Sequence, residues 1–187
     1  VQGLYYTPSK IAKRMCDNLT ITDKMAGKKI IDPCCGTGNF ILQIPDCFDY
    51  KNVYANDIDS LSVKIARINY ALRYKVSDKD LIYSHITESD YLYFPKNRKF
   101  DYILGNPPWG YHYSHEEKIK LRDKFNCATS LSIESYDIFI EQALRNLKMN
   151  GTLSFILPHA ILNVKSHTPI RKIILEKSSI LSMTPMI

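Results

Sequence analysis

The chain is expected to fold as an α/β domain, a mostly parallel sheet with helices on both faces. Three observations lead there. Short β-prone runs alternate with helical stretches from residue 29 to residue 177, the pattern of strands joined by helical crossovers. The residues able to do chemistry, a glycine turn at 33–40, Asp57, Asp90 and Asn106, each follow a strand run and so fall on the carboxyl edge, where such sheets carry their ligands. And 187 residues at 45% hydrophobic content suffice for one well-buried domain.

Bulk properties narrow the function classes. A net charge of +6 is compatible with a polyanionic partner. Five cysteines, two of them adjacent at Cys34 and Cys35, give neither a CxxC zinc pattern nor an even disulfide framework; no metal is expected, and a reducing cytoplasmic setting is. The most apolar run, 153–164, is too short for a membrane span and is broken by Pro158, and no signal peptide opens the chain. Because it begins at Val1 and shows neither repeats nor a low-complexity linker, the chain is expected to be a piece of a larger polypeptide. An opening helical segment over 1–26 precedes a sheet core over 28–187.

Taken in order, Thr7 is read as an N-cap with Pro8 at the first helical position, and Ile11, Met15 and Leu19 share one helical face. Residues 29–32 form a β-branched strand that runs into Pro-Cys-Cys-Gly-Thr-Gly-Asn-Phe at 33–40. Gly36 and Gly38 permit positive φ and close backbone approach just before a helix from Asn39, as a cofactor-binding turn requires. Ile41 stands where a dinucleotide fingerprint would have its third glycine, and no Gly-Lys-Ser/Thr follows, which disfavours a pyrophosphate ligand. Residues 52–56 make a second strand ending at Asp57, where doubly wound folds grip a ribose diol; a helix cap is the plainer role for this acid. A helix over 60–74 carries Leu61, Ile65, Ile68 and Leu72 on one side. A third strand is expected over 81–86, followed by Glu88 and Asp90, and 96–99 reads as a solvated turn.

Residues 100–104 are an apolar strand that stops at Gly105-Asn106-Pro107-Pro108-Trp109-Gly110. Asn106 and Pro107 each precede a proline and are pushed to extended angles, so the turn is stiff. Neither proline has an N–H; the local backbone offers carbonyl acceptors, joined by the Asn106 side-chain oxygen. Two acceptors that hold both protons of a ring-conjugated amine stabilise the positive charge that develops as the amine attacks an electrophile. Trp109 adds a flat face for a heterocycle, worth about 1–3 kcal/mol per base. Beyond it, 110–134 is long for a connection, and Tyr111 and Tyr113 mix with Lys118, Lys120, Arg122 and Lys124, a blend suited to phosphate contacts and stacking or to a solvated helix. A helix over 136–147 closed by Asn150-Gly151, a buried strand over 152–157, a helix over 168–177 and the start of a last strand over 179–187 complete the reading.

With these motifs in place, the chain resembles the catalytic domain of gamma-class, N6-adenine-specific DNA methyltransferases of restriction-modification systems, in which a Tyr-Tyr-Thr-Pro opening precedes the glycine turn and an Asn-Pro-Pro-aromatic tetrad follows it. The resemblance covers nearly the whole sequence and implies a Rossmann-like methyltransferase sheet, S-adenosylmethionine as methyl donor with S-adenosylhomocysteine as product, and an adenine flipped out of DNA. It implies that Tyr6, Thr7 and Pro8 close over the methionine end of the cofactor, and that Asp32, Cys34, Gly36, Gly38, Asn39 and Phe40 line the turn against it. Asp57 would hold the ribose, Ile58 would pack on the adenine ring, and Asp90 with Tyr91 would meet the cofactor's own adenine. Asn106, which also borders the cofactor, and the Pro107 carbonyl would hold the target amine, with Pro108 and Trp109 completing the catalytic turn. Trp stands where Tyr or Phe is usual. The chain ends near a sixth strand, so the final strand and any target-recognition domain are expected from a larger polypeptide or a separate specificity subunit, with a nuclease fused or partnered. Methyltransferases of protein glutamine or of an RNA base amine share both turns, although the opening segment argues against them; a non-catalytic module that binds nucleic acid or scaffolds a complex is the remaining alternative.

Overall fold

The computed structural model describes residues 7–19, 27–129 and 132–185. Helix α1 (Ser9–Asp17) leads to strand β1 (Ile30–Asp32), helix α2 (Asn39–Gln43), β2 (Val53–Asp57), α3 (Ser60–Tyr74), α4 (Lys79–His85), β3 (Ile86–Glu88) and β4 (Phe100–Gly105); α5 (His115–Lys124), α6 (Ser135–Asn146), β5 (Leu147–Phe155), α7 (Ala160–Asn163) and α8 (Thr168–Lys177) follow. The five strands form one sheet in the order β3-β2-β1-β4-β5, and every pairing is parallel, with Ile30 registered against Val53 on one side and Tyr102 on the other. Chain order reverses at β1, which places the crevice of the sheet between the carboxyl ends of β1 and β4.

Helices cover both faces, and strand alternation feeds both cores. Ile30 and Leu104 join Ala12, Phe40, Val63 and Tyr70 on one side, whereas Ile31 and Ile103 join Phe100, Tyr136, Ile140 and Ile170 on the other. A short strand buried on both faces therefore reads as a continuous apolar run.

Several local expectations are corrected. Thr7 does not cap α1: Pro8 is the cap residue, with φ −56° and ψ 139°, and its carbonyl accepts from Ile11 and Ala12. The proline lies outside the helix, and Thr7 before it is drawn to the sheet edge. The face of α1 that is buried is Ala12, Cys16 and Leu19, with Ile11 and Met15 half-buried beside it. In α3 the apolar side points outward: Leu61, Ile65, Ile68 and Leu72 are exposed, Leu72 by 72%, and Ser62, Val63, Ala66 and Tyr70 are buried instead. Small side chains let this helix approach the glycine turn, and polar ones on that side anchor it, Asn69 Nδ2 donating to Thr37 O at 2.8 Å and Tyr70 OH to Tyr50 O at 2.6 Å. Specific bonds to backbone carbonyls outweigh a face that is merely apolar.

The expected third strand over 81–86 is helix α4 up to His85, nucleated by the Asp78 side chain accepting from the Leu81 N–H; the strand starts only at Ile86. Asn150-Gly151 does not close α6, which ends at Asn146. The pair sits inside β5, where the register jumps between Leu147 and Thr152 and Asn150 takes φ +60°. Gly151 has no alternative there, since a Cβ would lie 2.9 Å from Asp101 O. Residues 152–155 are half-buried rather than buried, because β5 is the last strand in the sheet. Residues 178–185 form no strand. The long connection after Trp109 contains α5, fixed by a capping box between Ser114 and Glu117. Among the described residues no helix is long and apolar enough to cross a membrane.

Candidate active site

The glycine turn is built by backbone bonds and one acid. Cys35 N–H donates to Asn56 O at 2.9 Å and Gly38 N–H to Cys35 O at 2.8 Å, while Gly36 and Gly38 take φ of +51° and +91°. A left-handed backbone of this kind strains any residue with a Cβ. Asp57, at the tip of β2, accepts from the Gly36 N–H at 2.7 Å and from the Asp59 N–H at 2.9 Å, so its carboxylate clamps the turn and opens α3. Ile58 next to it is 71% exposed, an apolar side chain standing free beside the acid. Asn56, fully buried and not singled out by the sequence, sews the edge together: its amide donates to Ser89 O and accepts from the Ser89 and Thr87 hydroxyls.

Asp32 ends β1 and is completely buried. Its Oδ1 accepts from the Cys34 N–H at 3.1 Å, but Oδ2 is buried with no partner among the described residues. Burial pushes its pKa up to about 8; the Cys34 N–H opposes the shift and the negative charge of Asp57 adds to it. An unmatched carboxylate oxygen in a crevice fits a guest with a cationic donor.

Gly105 is the second residue the sequence reading passed over, taken there only as a strand terminator. A Cβ on it would lie 2.7 Å from Asp32 Oδ1 and 3.3 Å from Cys34 Sγ. Its lack of a side chain is what brings the ends of β1 and β4 together. Burial pushes the Cys34 thiol well above its ordinary range, opposed by a hydrogen bond from the Asn106 backbone. The two loops therefore touch.

Thr7 bolts a third segment across them. Its hydroxyl accepts from Asn106 Nδ2 at 3.2 Å, and its carbonyl accepts from Asn39 Nδ2. Pro107 is buried, the Pro108 carbonyl accepts from Ser135 Oγ at 2.6 Å, and half-buried Trp109 packs against both cores.

The remaining expected residues divide. Asp90 is half-buried at the end of β3 and caps the turn at Tyr91–Tyr93 through the Leu92 N–H; burial raises its pKa. Tyr91 and Phe40 are core residues, the first packed against Phe94 and Phe139 and the second within the cluster that holds Ile41, Val63 and Ala66. Pro8 is exposed at the rim. Tyr6 lies outside the described residues. Tyr111 and Tyr113 meet at 4.7 Å between ring centroids beside a small pocket also lined by Lys118 and Glu134.

Comparison with known proteins gives this edge a family. The family description "N-6 DNA Methylase" matches residues 1–186. The chain belongs to the N-6 DNA methylases. It is 32% identical over 174 residues to the Type II methyltransferase M.VspI of a Vibrio species, covering 91% of this chain and 40% of that protein. To the modification methylase CviBIII of a Paramecium bursaria Chlorella virus it is 28% identical, over 93% of this chain and 42% of that one. The chain thus spans less than half the length of these relatives. Among solved structures, the methyltransferase subunit of a type I restriction-modification system from Streptococcus thermophilus superposes with a TM-score of 0.69 at 24% identity over 93% of this chain and 39% of that one. A Listeria monocytogenes chain assigned to the class I S-adenosylmethionine-dependent methyltransferases gives 0.67 at 24%, over 91% and 51%. This N-6 DNA methylase therefore has the fold of those enzymes, and its family implies S-adenosylmethionine as cofactor.

Proposed function

We propose that residues 1–187 are the catalytic domain of a site-specific DNA methyltransferase that transfers a methyl group from S-adenosylmethionine to the N6 amine of adenine in a restriction-modification system. One observation carries the reading. Across Gly105, the buried carboxylate of Asp32, with one oxygen unmatched, meets the stiff turn at 106–109. That pairing suits a cationic donor molecule on one side and an amine acceptor on the other.

When bound, the cofactor supplies a methyl group on a positively charged sulfur, and S-adenosylhomocysteine is the product. Asp32 would face its cationic methionine end, Gly36 and Gly38 would let the backbone approach it, and Thr7 would close the edge over it. Asp57, already oriented by two backbone N–H groups, keeps further acceptor capacity for ribose hydroxyls. Ile58 would cover the adenine ring and Asp90 would accept from its amine. On the other side, the Asn106 side-chain oxygen and the Pro107 carbonyl would accept the two protons of the target amine and stabilise charge as it forms. Trp109 would stack on the flipped base, offsetting an extrusion that costs a few kcal/mol.

Flipped DNA adenine as substrate, a target-recognition domain or specificity subunit and a nuclease as partners, and a cytoplasmic location belong to this proposal. The names of relatives support it, and so does the positive charge. The test is calorimetric titration with S-adenosylmethionine of the protein and its Asp57→Ala variant. Saturable binding that the variant loses is the expected result; equal binding by both would remove Asp57 from the site.

A further inference from the structure

The catalytic turn has a structural problem that its own sequence cannot solve. Pro107 and Pro108 have no N–H, so the turn lacks the donors with which a loop normally ties itself down, and its carbonyls need donors from elsewhere. Ser135 supplies one. It is fully buried at the head of α6, and its hydroxyl reaches back to the Pro108 carbonyl at 2.6 Å. A serine in the first turn of a helix usually bonds to its own local backbone; this one bonds to the peptide that joins Pro108 to Trp109.

The two residues after it are braced as well. Tyr136 OH lies 2.8 Å from His167 Nε2, and His167 Nδ1 lies 2.9 and 3.0 Å from the two oxygens of Asp137, all three side chains being buried. The carboxylate accepts, so Nδ1 donates to Asp137, and the Tyr136 hydroxyl closes the chain on Nε2. It ties the first turn of α6 to His167, the cap residue of α8. The hydroxyl on Pro108 therefore projects from a fixed base rather than from a loop.

We infer that Ser135 is a positioning residue for methyl transfer: by holding the Pro108 carbonyl it sets the peptide plane from which the Trp109 ring is presented, and with it the alignment of the target base. This rests on the proposed function, but half of its test does not. Trp109 is the only tryptophan of this chain, and in the full-length protein its emission is isolated as the difference from a Trp109→Phe blank.

The experiment measures, for Ser135→Ala, near-isosteric Ser135→Cys with its weak donor, and Ser135→Thr, the acrylamide quenching of Trp109, the affinity for S-adenosylmethionine, and the single-turnover rate of DNA methylation. We expect Ala and Cys to increase quenching and slow methylation by about ten- to a hundredfold, the range for a small misplacement of a reacting group. Cofactor affinity should stay unchanged, and Thr should recover most of the rate. Unchanged quenching in a folded Ala or Cys variant would overturn the inference, as would altered quenching with a wild-type rate. If the wild-type protein methylates no DNA, the proposed function fails, and the quenching still decides whether Ser135 holds the turn.

Discussion

The two ends of the sheet each bury an acid, and they treat it in opposite ways. At the amino end, Asp101 accepts from the Lys29 N–H at 2.9 Å, from Lys148 at 2.7 Å and from Lys28 at 3.2 Å. Burial alone would raise its pKa, but Lys148, the Lys29 N–H and Lys28 together hold it below the ordinary carboxylate value. At the carboxyl end, Asp32 has one N–H, an unmatched oxygen and a pKa pushed up to about 8, chiefly by burial. The fold satisfies one acid fully and leaves the other half-satisfied, and the proposed cofactor role of Asp32 rests on that difference. On the proposed function, stability sits at one end of the strands and chemistry at the other.

The largest test of that division is Asn106→Ala, which removes the acceptor proposed for the target amine. Methylation by the full-length protein should fall by about a hundred- to a thousandfold, the usual scale for one preorganised polar group. Survival of the rate would erase the chemical end of the comparison.

Next in size is Gly105→Ala. Its Cβ would stand 2.7 Å from Asp32 Oδ1, so the ends of β1 and β4 must separate. A melt should show a loss of about 1–3 kcal/mol, the cost of overpacking, together with weakened cofactor binding. A destabilised variant that binds normally would mean that Gly105 serves packing alone.

At the other end, Asp101→Asn should cost stability and leave the site untouched. The loss is about 1–3 kcal/mol for charge-assisted bonds at neutral pH. Since the folded pKa is depressed, this stability is present above the unfolded pKa, near 4, and disappears as pH falls through the folded value. Urea midpoints of variant and wild type should therefore converge in acid. A variant that instead lost cofactor affinity would join the two ends.

The smallest effect is expected from Leu61→Lys or Leu72→Lys on α3, within about 0.5 kcal/mol as for exposed surface positions. A larger loss by thermal melting would return the apolar face to the core. This helix also marks how far the sequence could be read. Its limits at Ser60 and Tyr74 follow from punctuation, an Asp59 cap and an apolar period, but the face it buries is decided by residues far away in sequence, Thr37 and Tyr50, whose carbonyls Asn69 and Tyr70 satisfy. The same holds for the site. Glycines at 36 and 38, Asp57 and the Asn-Pro-Pro-Trp turn announce themselves because each is a local backbone or donor problem. Gly105, Asn56 and Ser135 do not, because their roles exist only once strands and helices are side by side. The strand expected at 81–86 failed for a related reason: a β-prone run gave way to the Asp78 cap, a local signal of equal strength and opposite sense.

The central claim, that Asp32 is held for a cationic guest, has a direct measurement in calorimetric titration of S-adenosylmethionine from pH 6 to 8, in buffers of different ionisation enthalpy, with Asp32→Asn alongside. A raised folded pKa means that the neutral acid stabilises the free protein below its unfolded pKa and that this contribution is lost as pH rises through about 8. Pairing with a cation must then expel the proton. The account predicts tighter binding toward pH 8, with close to one proton released near the lower limit, and a variant that binds far more weakly and releases none. Binding with no proton released, equally tight in Asp32→Asn, would contradict it.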